Sequence, residues 1–490
     1  MTIRTRFAPS PTGYMHIGNL RTALYAYLIA KHDHGTFILR IEDTDQSRNQ
    51  PETLQAIYNG LALAGLVYDE GPDKDGGKGP YVQSQRLPIY KQYATELVEK
   101  GAAFYCFCQK EEKHNEEGEA LVDITRDPCR YLTDDQVKAR LEEGLKPVIR
   151  QRIPEGGSTT YHDLIFGNIT FENSQLDDQV LLKSDGFPTY NFANVVDDHL
   201  MEITHVARGQ EYLSSAPKYN LLYQAFGWDV PEYIHLPLIV KADGSKLSKR
   251  KGDPTFEDLV RMGFLPEAIV NYVALLGWNP GTEQEFFTLD GLVEAFDMKR
   301  INKSPAAYSL EKLTWLNGEH IRALTPEAFH ALVLPYYPEA IQQLDLAKIS
   351  RLIQIRTEKL IDIPEMVGFL AALPSYSVDL FANDKSKSTL PSSKEVLEQV
   401  IPILESLEDW QNDQLFAVLK EFAQTHQMKV GTVMWPIRAS LSGLANTPGG
   451  ATELADLLGK RESIHRLKRG LAKLLVSSMN MHLENLKPIG

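Results

Sequence analysis

The hydrophobic pattern near the N-terminus changes period twice within a short stretch of chain. Residues 3–7 alternate and are rich in β-branched and aromatic side chains, which predicts a strand. The apolar positions from Leu20 to Leu28 follow helical spacing, which predicts a helix that continues to about residue 34. Residues 36–41 then predict a second strand. We therefore expect a βαβ unit that begins a parallel sheet of the nucleotide-binding type.

The pattern lapses in the next part of the chain and then resumes. Residues 101–180 hold the three cysteines, a charged run and several short β-like segments, which predicts an inserted α+β domain. The apolar segments at 190–196, 205–207 and 233–240 predict strands that complete the sheet, with a helix near 215–226.

The chain becomes persistently helical after about residue 320. Amphipathic spacing recurs over residues 346–360, 395–407, 414–425 and 462–476. The expected fold class is therefore α/β, with a Rossmann-like parallel-sheet domain, an inserted α+β domain and an all-α C-terminal region. The expected domain ranges are 1–100 with 181–240 for the sheet domain, 101–180 for the insertion, 241–322 for a connecting domain and 323–490 for the helical region.

The bulk composition limits the classes of function. A chain of 490 residues exceeds the ~250–300 residues at which single cores stop growing. There is no apolar run of membrane-spanning length and no secretory signal, and three cysteines do not make a disulfide framework, so we expect a cytoplasmic protein. The net charge of −14 argues against indiscriminate nucleic-acid binding but permits a local basic surface.

The loop between the first strand and the first helix carries the first candidate chemistry. It has the sequence Pro-Ser-Pro-Thr-Gly-Tyr-Met-His-Ile-Gly-Asn over residues 9–19. A helix N-terminus favours anions, and Gly13 and Gly18 let a nucleotide approach the backbone. A lone His16 would more often be a helix cap, but the full string favours nucleotide binding.

A second string, Lys-Leu-Ser-Lys-Arg-Lys over residues 246–251, follows a predicted core strand and a turn that contains Gly244. Nucleotidyl transfer needs cations that meet the charge developing on a triphosphate. Taken alone, this segment is equally compatible with a solvated basic loop or an RNA-backbone contact.

Together the two strings resemble the HIGH and KMSKS signatures of class I aminoacyl-tRNA synthetases. His16, Lys246 and Lys249 match the signatures, whereas Asn19, Leu247 and Arg250 depart from them. Within class I, the chain resembles bacterial-type glutamyl-tRNA synthetases over most of its length. The strings that carry this likeness are residues 4–13, 40–45, 184–199, 205–211, 436–443 and 458–463.

The resemblance implies an enzyme that activates L-glutamate with ATP to glutamyl-adenylate. The glutamyl group is then transferred to the 3′-terminal ribose of tRNA(Glu), with release of AMP and pyrophosphate. Mg²⁺ is expected with ATP, and catalysis would rest on positioning and charge stabilisation. The implied catalytic residues are His16, Lys246 and Lys249. The implied ATP site comprises His16, Gly18, Asn19, Glu211, Leu236, Lys246, Ser248 and Lys249.

A site for free glutamate must neutralise two carboxylates and one ammonium group. Arginine offers a bidentate fork that matches a carboxylate, and Glu42 at the end of the second strand suits the ammonium. The resemblance implies a glutamate site at Arg6, Ala8, Ser10, Glu42, Tyr190, Asn194 and Arg208. Without the surrounding strings, each arginine would more often be a surface ion pair.

The cysteines allow two interpretations. Cys106, Cys108 and Cys129 can supply three ligands of a zinc site. The resemblance implies a fourth ligand at the position of Tyr131, which is a poor zinc ligand, and His114 is the substitute. Buried free thiols are the alternative, because cysteine behaves as a small hydrophobe.

The resemblance implies that residues 101–180 bind the acceptor stem, that 241–322 carry the KMSKS loop and a stem contact, and that 323–490 bind the anticodon. Candidate tRNA contacts are Arg351, Arg356, Arg466, Lys468 and Arg469. These charges can equally cover a solvated face. A monomer is expected, and both the charging of tRNA(Gln) and a requirement for tRNA in glutamate activation stay open.

Four rival functions share some of these features. A glutaminyl-tRNA synthetase would carry a β-rich C-terminal half, and a shortened relative that glutamylates a modified tRNA base would lack the anticodon region. A tRNA-independent nucleotidyltransferase would leave the helical region without a task. A non-catalytic RNA-binding paralogue is expected to have lost His16, Lys246 and Lys249.

Overall fold

The computed structural model describes residues 2–11, 15–45, 51–108, 126–247 and 252–484. The chain forms two compact units. The first comprises residues 1–260 and 266–316, and the second comprises residues 261–265 and 317–490.

The first unit mixes strands and helices. Its strands are β1 (Arg4–Phe7), β2 (Thr36–Leu39), β3 (Ala103–Cys106), β4 (Val148–Gln151), β5 (Ser158–Asp163), β6 (Gly167–Glu172), β7 (Val180–Leu182), β8 (His205–Gly209), β9 (Glu232–Leu236), β10 (Ile239–Val240) and β11 (Ala306–Ala307). Its helices are α1 (Ile17–His32), α2 (Pro51–Leu63), α3 (Leu87–Glu99), α4 (Asp134–Glu142), α5 (Tyr190–Leu200), α6 (Ala216–Phe226), α7 (Phe256–Arg261), α8 (Pro266–Leu275) and α9 (Leu289–Ala295).

The central sheet is parallel apart from one edge strand. β1 pairs in parallel with β2, β9 pairs in parallel with both β8 and β5, and β6 is antiparallel to β5. Thr204, just before β8, donates its backbone N–H to the carbonyl of Arg4 at 2.9 Å, which sets β8 beside β1. The two-stranded sheet β2-β1 therefore lies beside β8, the edge strand of the four-stranded sheet β8-β9-β5-β6. The parallel, Rossmann-like sheet is thereby confirmed, and β1, α1 and β2 form the βαβ unit that the sequence predicts.

The stretch 101–180 contributes to two sheets. β3, β4 and β7 form an antiparallel sheet of their own. β5 and β6 instead join the central sheet through the pairing of Asp163 with Tyr233.

The prediction of a strand at residues 190–196 is wrong, because this segment is the helix α5. Its β-branched and aromatic side chains favour a strand, but Phe192, Val195 and Val196 have helical spacing and are fully buried. A short apolar run that is buried on several sides cannot be assigned by periodicity alone. Tertiary packing between α3, α6 and the sheet decides its conformation.

The second unit is helical, as the sequence predicts. Its helices are α10 (Leu310–Ala323), which begins within the first unit, α11 (Pro326–Val333), α12 (Leu346–Gln354), α13 (Ile363–Ala371), α14 (Leu390–Ser406), α15 (Asn412–Thr425), α16 (Val430–Ser442) and α17 (Ala451–Glu484). Gly459 interrupts α17 with a φ of 74°. Among the described residues, the helices lack the combination of length and apolar character that a membrane crossing requires.

Candidate active site

Charged side chains occupy alternate positions on one face of the central sheet. Arg6 faces Ile38 across the β1-β2 pair, and Arg208 faces His235 across the β8-β9 pair. Because side chains two residues apart on a strand share a face, Arg40 lies on the same side as Ile38. α5 and α6 cover this face with apolar side chains. The charged groups are therefore buried near the carboxyl ends of the strands, where open α/β sheets bind ligands.

A buried ion-pair network connects β1, β2 and α5. Asp198 accepts hydrogen bonds from Arg6 Nε at 3.0 Å and from Arg40 Nη1 at 2.7 Å. Burial alone would raise the pKa of Asp198, but the two guanidinium groups lower it overall. The neighbouring Asp197 accepts from Arg86 Nε at 2.7 Å and from the Tyr90 hydroxyl at 2.7 Å. These pairings compensate charges that would be strongly destabilising if buried alone.

The two carboxylate oxygens of Glu42 differ in their hydrogen bonding. Its Oε1 accepts from Arg40 Nη2 at 3.0 Å, whereas its buried Oε2 has no hydrogen-bond partner among the residues that the structure describes. Burial raises the pKa of Glu42 to about 7, although Arg40 and Arg6 oppose the rise. A cationic ligand that reaches Oε2 would therefore stabilise the ionised carboxylate.

Arg208 is paired quite differently from Arg6. Its Nε donates to His235 Nε2 at 3.2 Å, and its Nη2 is buried without a partner in the described part of the chain. Its guanidinium carbon lies 5.5, 4.6 and 5.2 Å from the ring centroids of Tyr212, Tyr219 and Tyr233. The π faces of the rings partly stabilise this buried cation.

Tyr190 and Asn194 lie on the first turns of α5, next to this arginine. The Tyr190 ring is 5.4 Å from that of Tyr212, which also contacts Arg208. Asn194 Nδ2 donates to the Tyr190 carbonyl at 2.8 Å. Burial, followed by the charge of Glu42, raises the pKa of the Tyr190 phenol. The fold thus brings five residues expected at a glutamate site into one buried region: Arg6, Glu42, Tyr190, Asn194 and Arg208.

The residues that follow the lysine string contact the histidine string through their backbones. His16 is the N-cap of α1, where its Nδ1 accepts from the Gly18 N–H at 3.1 Å. His16 also forms an antiparallel bridge with Thr255, and the Phe256 N–H donates to the Met15 carbonyl at 3.0 Å. The chain that leaves the lysine string therefore returns to the histidine string.

Lys246 is the first residue of the lysine string. It is exposed and forms an antiparallel bridge with Val240 of β10. Leu247, which departs from the KMSKS letters, is only 3% exposed, so an apolar side chain is required there. Ser248 and Lys249 lie outside the described residues.

The other residues that are expected to contact ATP and glutamate lie near the carboxyl ends of the same strands. Gly18 and Asn19 are in the first turn of α1, and Asn19 is exposed. Leu236 ends β9 and is buried, and Glu211 is exposed in the turn that follows β8. Ala8 and Ser10 follow β1, half-buried and exposed respectively.

The cysteines form a cluster with a residue that the sequence analysis missed. One ligand atom each from Cys106, Cys108, Cys129 and Asp127 lies within 4.8 Å of the others. Burial is the main cause that raises the pKa of Cys108 to about 12. Tyr131 does not join the cluster, because its hydroxyl donates to Glu155 and its side chain is exposed. His114 lies outside the described residues.

The expected tRNA contacts in the second unit differ in exposure. Arg351 and Arg356 are exposed, and Arg356 donates to the Thr447 carbonyl. Arg438 donates to the Ala445 carbonyl, two residues from the Thr447 carbonyl that Arg356 binds. The Arg438 guanidinium is 4.5 Å from the centroid of the Trp435 ring. The two arginines and the indole offer charge and a stacking surface together.

Arg466 cannot serve as a surface contact. It is 1% exposed, and its guanidinium donates to the carbonyls of Phe369, Leu370 and Leu441 at the ends of α13 and α16. It therefore satisfies helix C-termini inside the unit. On the same helix, Lys468 pairs with Glu405 at 2.6 Å and Arg469 is exposed.

Several residues in or beside the site have no role predicted from the sequence, because their partners are distant along the chain. The missed residues are Arg40, Arg86, Asp127, Asp163, Asp197, Asp198 and His235. A usable signal was present for some of them, because a charged residue within an apolar strand or helix must find a partner when it is buried. His235 within β9 and Asp197-Asp198 after two valines fit that rule.

The chain is similar to known proteins over nearly its whole length. A family model described as "tRNA synthetases class I (E and Q), catalytic domain" matches residues 2–315, and one described as "Anticodon binding domain" matches residues 328–471. A glutamate–tRNA ligase of Clostridium tetani is 55% identical over 477 residues, which are 96% of this chain and 98% of that protein. One from Clostridium botulinum (strain Eklund 17B / Type B) is 56% identical over 479 residues, or 96% of this chain and 99% of that protein. A crystal structure of a glutamate tRNA ligase from Elizabethkingia meningosepticum, in complex with its amino acid, has 34% identity and a TM-score of 0.84, and covers 97% of this chain and 100% of that one.

Proposed function

Because the chain belongs to the class I glutamate–tRNA ligases, which join glutamate to tRNA with the use of ATP, we propose that Arg208 and Glu42 recognise the amino acid. This assignment rests on two buried atoms in groups of opposite charge: Nη2 of Arg208 and Oε2 of Glu42. Neither atom has a hydrogen-bond partner among the described residues. Free glutamate offers a side-chain carboxylate to the first and an ammonium group to the second. A carboxylate–guanidinium pair out of water is strong and geometrically specific.

Arg6 contributes differently, because Asp198 already accepts from its Nε. Its Nη1 donates to the Ala207 carbonyl at 3.3 Å and its Nη2 to Asp198 Oδ2 at 3.4 Å, so Arg6 would support the site from below. Tyr190 and Asn194 complete the wall on the α5 side. Ala8 and Ser10 follow β1 and would bound the pocket near the α-carboxylate.

The ATP site is proposed at the His16 turn and the lysine string. His16, Gly18 and Asn19 stand at the N-terminus of α1, where backbone N–H groups favour phosphate oxygens. Lys246 and Lys249 would meet the triphosphate, because the chain that follows their string pairs with His16 through Thr255. Mg²⁺ typically accompanies ATP in such sites. Ser248, Glu211 and Leu236 are proposed to contact the nucleotide.

The chemistry requires positioning and charge stabilisation. The glutamate carboxylate attacks the α-phosphorus of ATP, which releases pyrophosphate and forms the adenylate. The terminal ribose hydroxyl of tRNA then attacks the adenylate carbonyl and AMP leaves. The lysines would stabilise the charge that develops on the departing pyrophosphate.

Zinc is proposed at the cysteine cluster. Cys106, Cys108 and Cys129 would hold Zn²⁺ with Asp127 as the fourth ligand, since thiolates and a carboxylate are ligands that zinc accepts. Arg150 Nε lies 3.5 Å from Asp127 Oδ2 and would orient that carboxylate. The metal would supply structural stability to the region around β3.

In the helical unit, we assign tRNA contacts to Arg351, Arg356, Lys468 and Arg469. Arg438 joins them, because its guanidinium binds the chain near the contact of Arg356 and lies over the Trp435 ring. Arg466 is left out because its guanidinium is buried.

The decisive assay is transfer of radiolabelled glutamate to purified tRNA(Glu) and tRNA(Gln), with glutamine as a competing amino acid. ATP–pyrophosphate exchange should be measured with and without tRNA, because activation that requires tRNA would otherwise look like inactivity. Lys249→Ala should raise the barrier to adenylate formation by about 3 kcal/mol, as expected for one preorganised charge donor. Lys251→Ala, in the same string, is the matched control. Equal exchange rates in the two variants would contradict the role given to Lys249.

A further inference from the structure

The hydrogen bonds around Arg208 determine the protonation state of His235. An arginine Nε–H can only donate, so His235 Nε2 must be the acceptor at 3.2 Å. The proton of the neutral imidazole is then on Nδ1, which donates to Asp163 Oδ2 at 2.7 Å. His235 and Asp163 are both fully buried. The order of the chain of bonds is Asp163, His235, Arg208.

Asp163 is itself held in place by the backbone. Its Oδ1 accepts the N–H groups of Ile165 and Phe166 at 2.9 and 2.8 Å, and its Oδ2 accepts the N–H of His235 at 3.0 Å. Burial would raise the pKa of Asp163, but the bond from His235 and these N–H groups lower it. Asp163 is thus an ionised carboxylate that hydrogen bonds from neighbouring N–H groups stabilise.

This arrangement leaves Arg208 without a direct counter-ion. Arg6 donates to a carboxylate, whereas among the described residues Arg208 has no carboxylate oxygen within ion-pair distance. A neutral imidazole and three tyrosine rings surround Arg208 instead. The rings and the imidazole fix the guanidinium and do not cancel its charge.

We propose that the Asp163–His235 pair is a positioning element that sets amino-acid specificity: it orients Arg208 through a neutral acceptor, so that the full positive charge is reserved for the side-chain carboxylate of the substrate. This inference rests on the proposed role of Arg208 in glutamate binding. Glutamine, which is neutral at the same atoms, would leave the buried guanidinium uncompensated. A site built for a specific polar partner rejects an analogue that leaves its buried groups unpaired.

The test compares two substitutions that differ in one charge. His235→Gln keeps a neutral acceptor near Arg208 Nε, and His235→Glu offers an acceptor that carries a negative charge. We expect His235→Gln to stay within a few-fold of the wild type in KM for glutamate. We expect His235→Glu to raise KM for glutamate at least about tenfold and to lower the ratio of glutamate affinity to glutamine affinity by a similar factor. The KM for ATP and kcat should change little in either variant.

Matched controls separate positioning from damage to the sheet. His205→Gln removes a histidine from the N-terminal end of β8, whereas Arg208 lies near its C-terminal end. This variant should leave the affinities for glutamate and glutamine unchanged. Arg208→Met tests the proposed function: if it does not alter KM for glutamate, the assignment of Arg208 fails. Suppose that Arg208→Met abolishes glutamate binding but that His235→Glu and His235→Gln have the same ratio of glutamate affinity to glutamine affinity. The inference about His235 then fails, whereas the proposed role of Arg208 stands.

A spectroscopic measurement covers the case in which His235→Glu does not fold. In wild-type enzyme labelled with ¹⁵N-histidine, the signal that disappears in the His235→Gln spectrum identifies His235. A neutral ring with the proton on Nδ1 at pH 7 supports the proposal. An imidazolium, or a proton on Nε2, overturns it.

Discussion

Glutamate binding should depend on pH through Glu42. Burial raises the pKa of this carboxyl to about 7, so it would be about one-tenth ionised at pH 6 and about nine-tenths ionised at pH 8. If only the carboxylate binds the substrate ammonium, KM for glutamate should fall about tenfold over this range. An ordinary carboxyl would be ionised throughout and would give a flat profile.

The assay is the initial rate of tRNA charging at saturating ATP and tRNA, with glutamate varied at each pH. KM for ATP, measured over the same range, controls for titration elsewhere in the enzyme. Glu42→Gln should raise KM for glutamate and make it independent of pH. A wild-type KM that stays constant between pH 6 and 8, or a Glu42→Gln enzyme that keeps the slope, would refute this account of Glu42.

The same pKa shift has a stability counterpart. The folded state binds the Glu42 proton more tightly than the unfolded chain does, because the pKa in the folded state is the higher one. The contribution of this group to stability is therefore fully present at low pH and is lost as pH rises through about 7. Substrate ammonium would offset this loss, so glutamate should protect the enzyme against unfolding more strongly at pH 8 than at pH 6.

Three further predictions follow from individual contacts. The purified protein should contain about one zinc per chain by mass spectrometry, with Cys129→Ala losing the metal and Tyr131→Phe retaining it; retention by the first variant would exclude the cysteine site. Asp198→Asn should lower the free energy of unfolding by about 3–5 kcal/mol in denaturant titrations, because two guanidinium groups lose their shared carboxylate; a change below about 1 kcal/mol would mean that the network relaxes freely. Arg466→Ala should destabilise the helical unit, whereas Arg469→Ala should raise KM for tRNA without a change in melting temperature; a reversal of the two effects would contradict the burial of Arg466.

Several helices and strands can be predicted from the sequence, because the spacing of apolar residues within each segment determines them. The strand–helix–strand start and the amphipathic helices of the second unit follow from periodicity. The structure has the first strand, helix and strand within three residues of the predicted limits, whereas α12 ends six residues before the predicted limit and α17 ends eight residues beyond it. The aromatic and β-branched residues of α5 favour a strand, and this propensity conflicts with the helical spacing of Phe192, Val195 and Val196. Propensity is a weak guide where tertiary packing decides.

The charge pairings were not accessible, since they join residues far apart in the chain. Arg6 and Asp198 are 192 residues apart, and Asp163 and His235 are 72 apart. The basic run near residue 466 looked uniform in the sequence, yet one arginine in it points inward to helix ends. Such a difference depends on which carbonyls the fold brings near, which spacing along one helix does not encode.

The contrast between the compensated arginines and Arg208 has an evolutionary consequence. Arg6 and Arg40 share the Asp198 carboxylate, so replacing Asp198 leaves two buried guanidinium groups without their common counter-ion. Arg208 rests on an uncharged ring, so its replacement strands no carboxylate. The role proposed for Arg208 therefore predicts that substrate preference can change through substitution at this one position, with the Arg6–Asp198–Arg40 network unchanged.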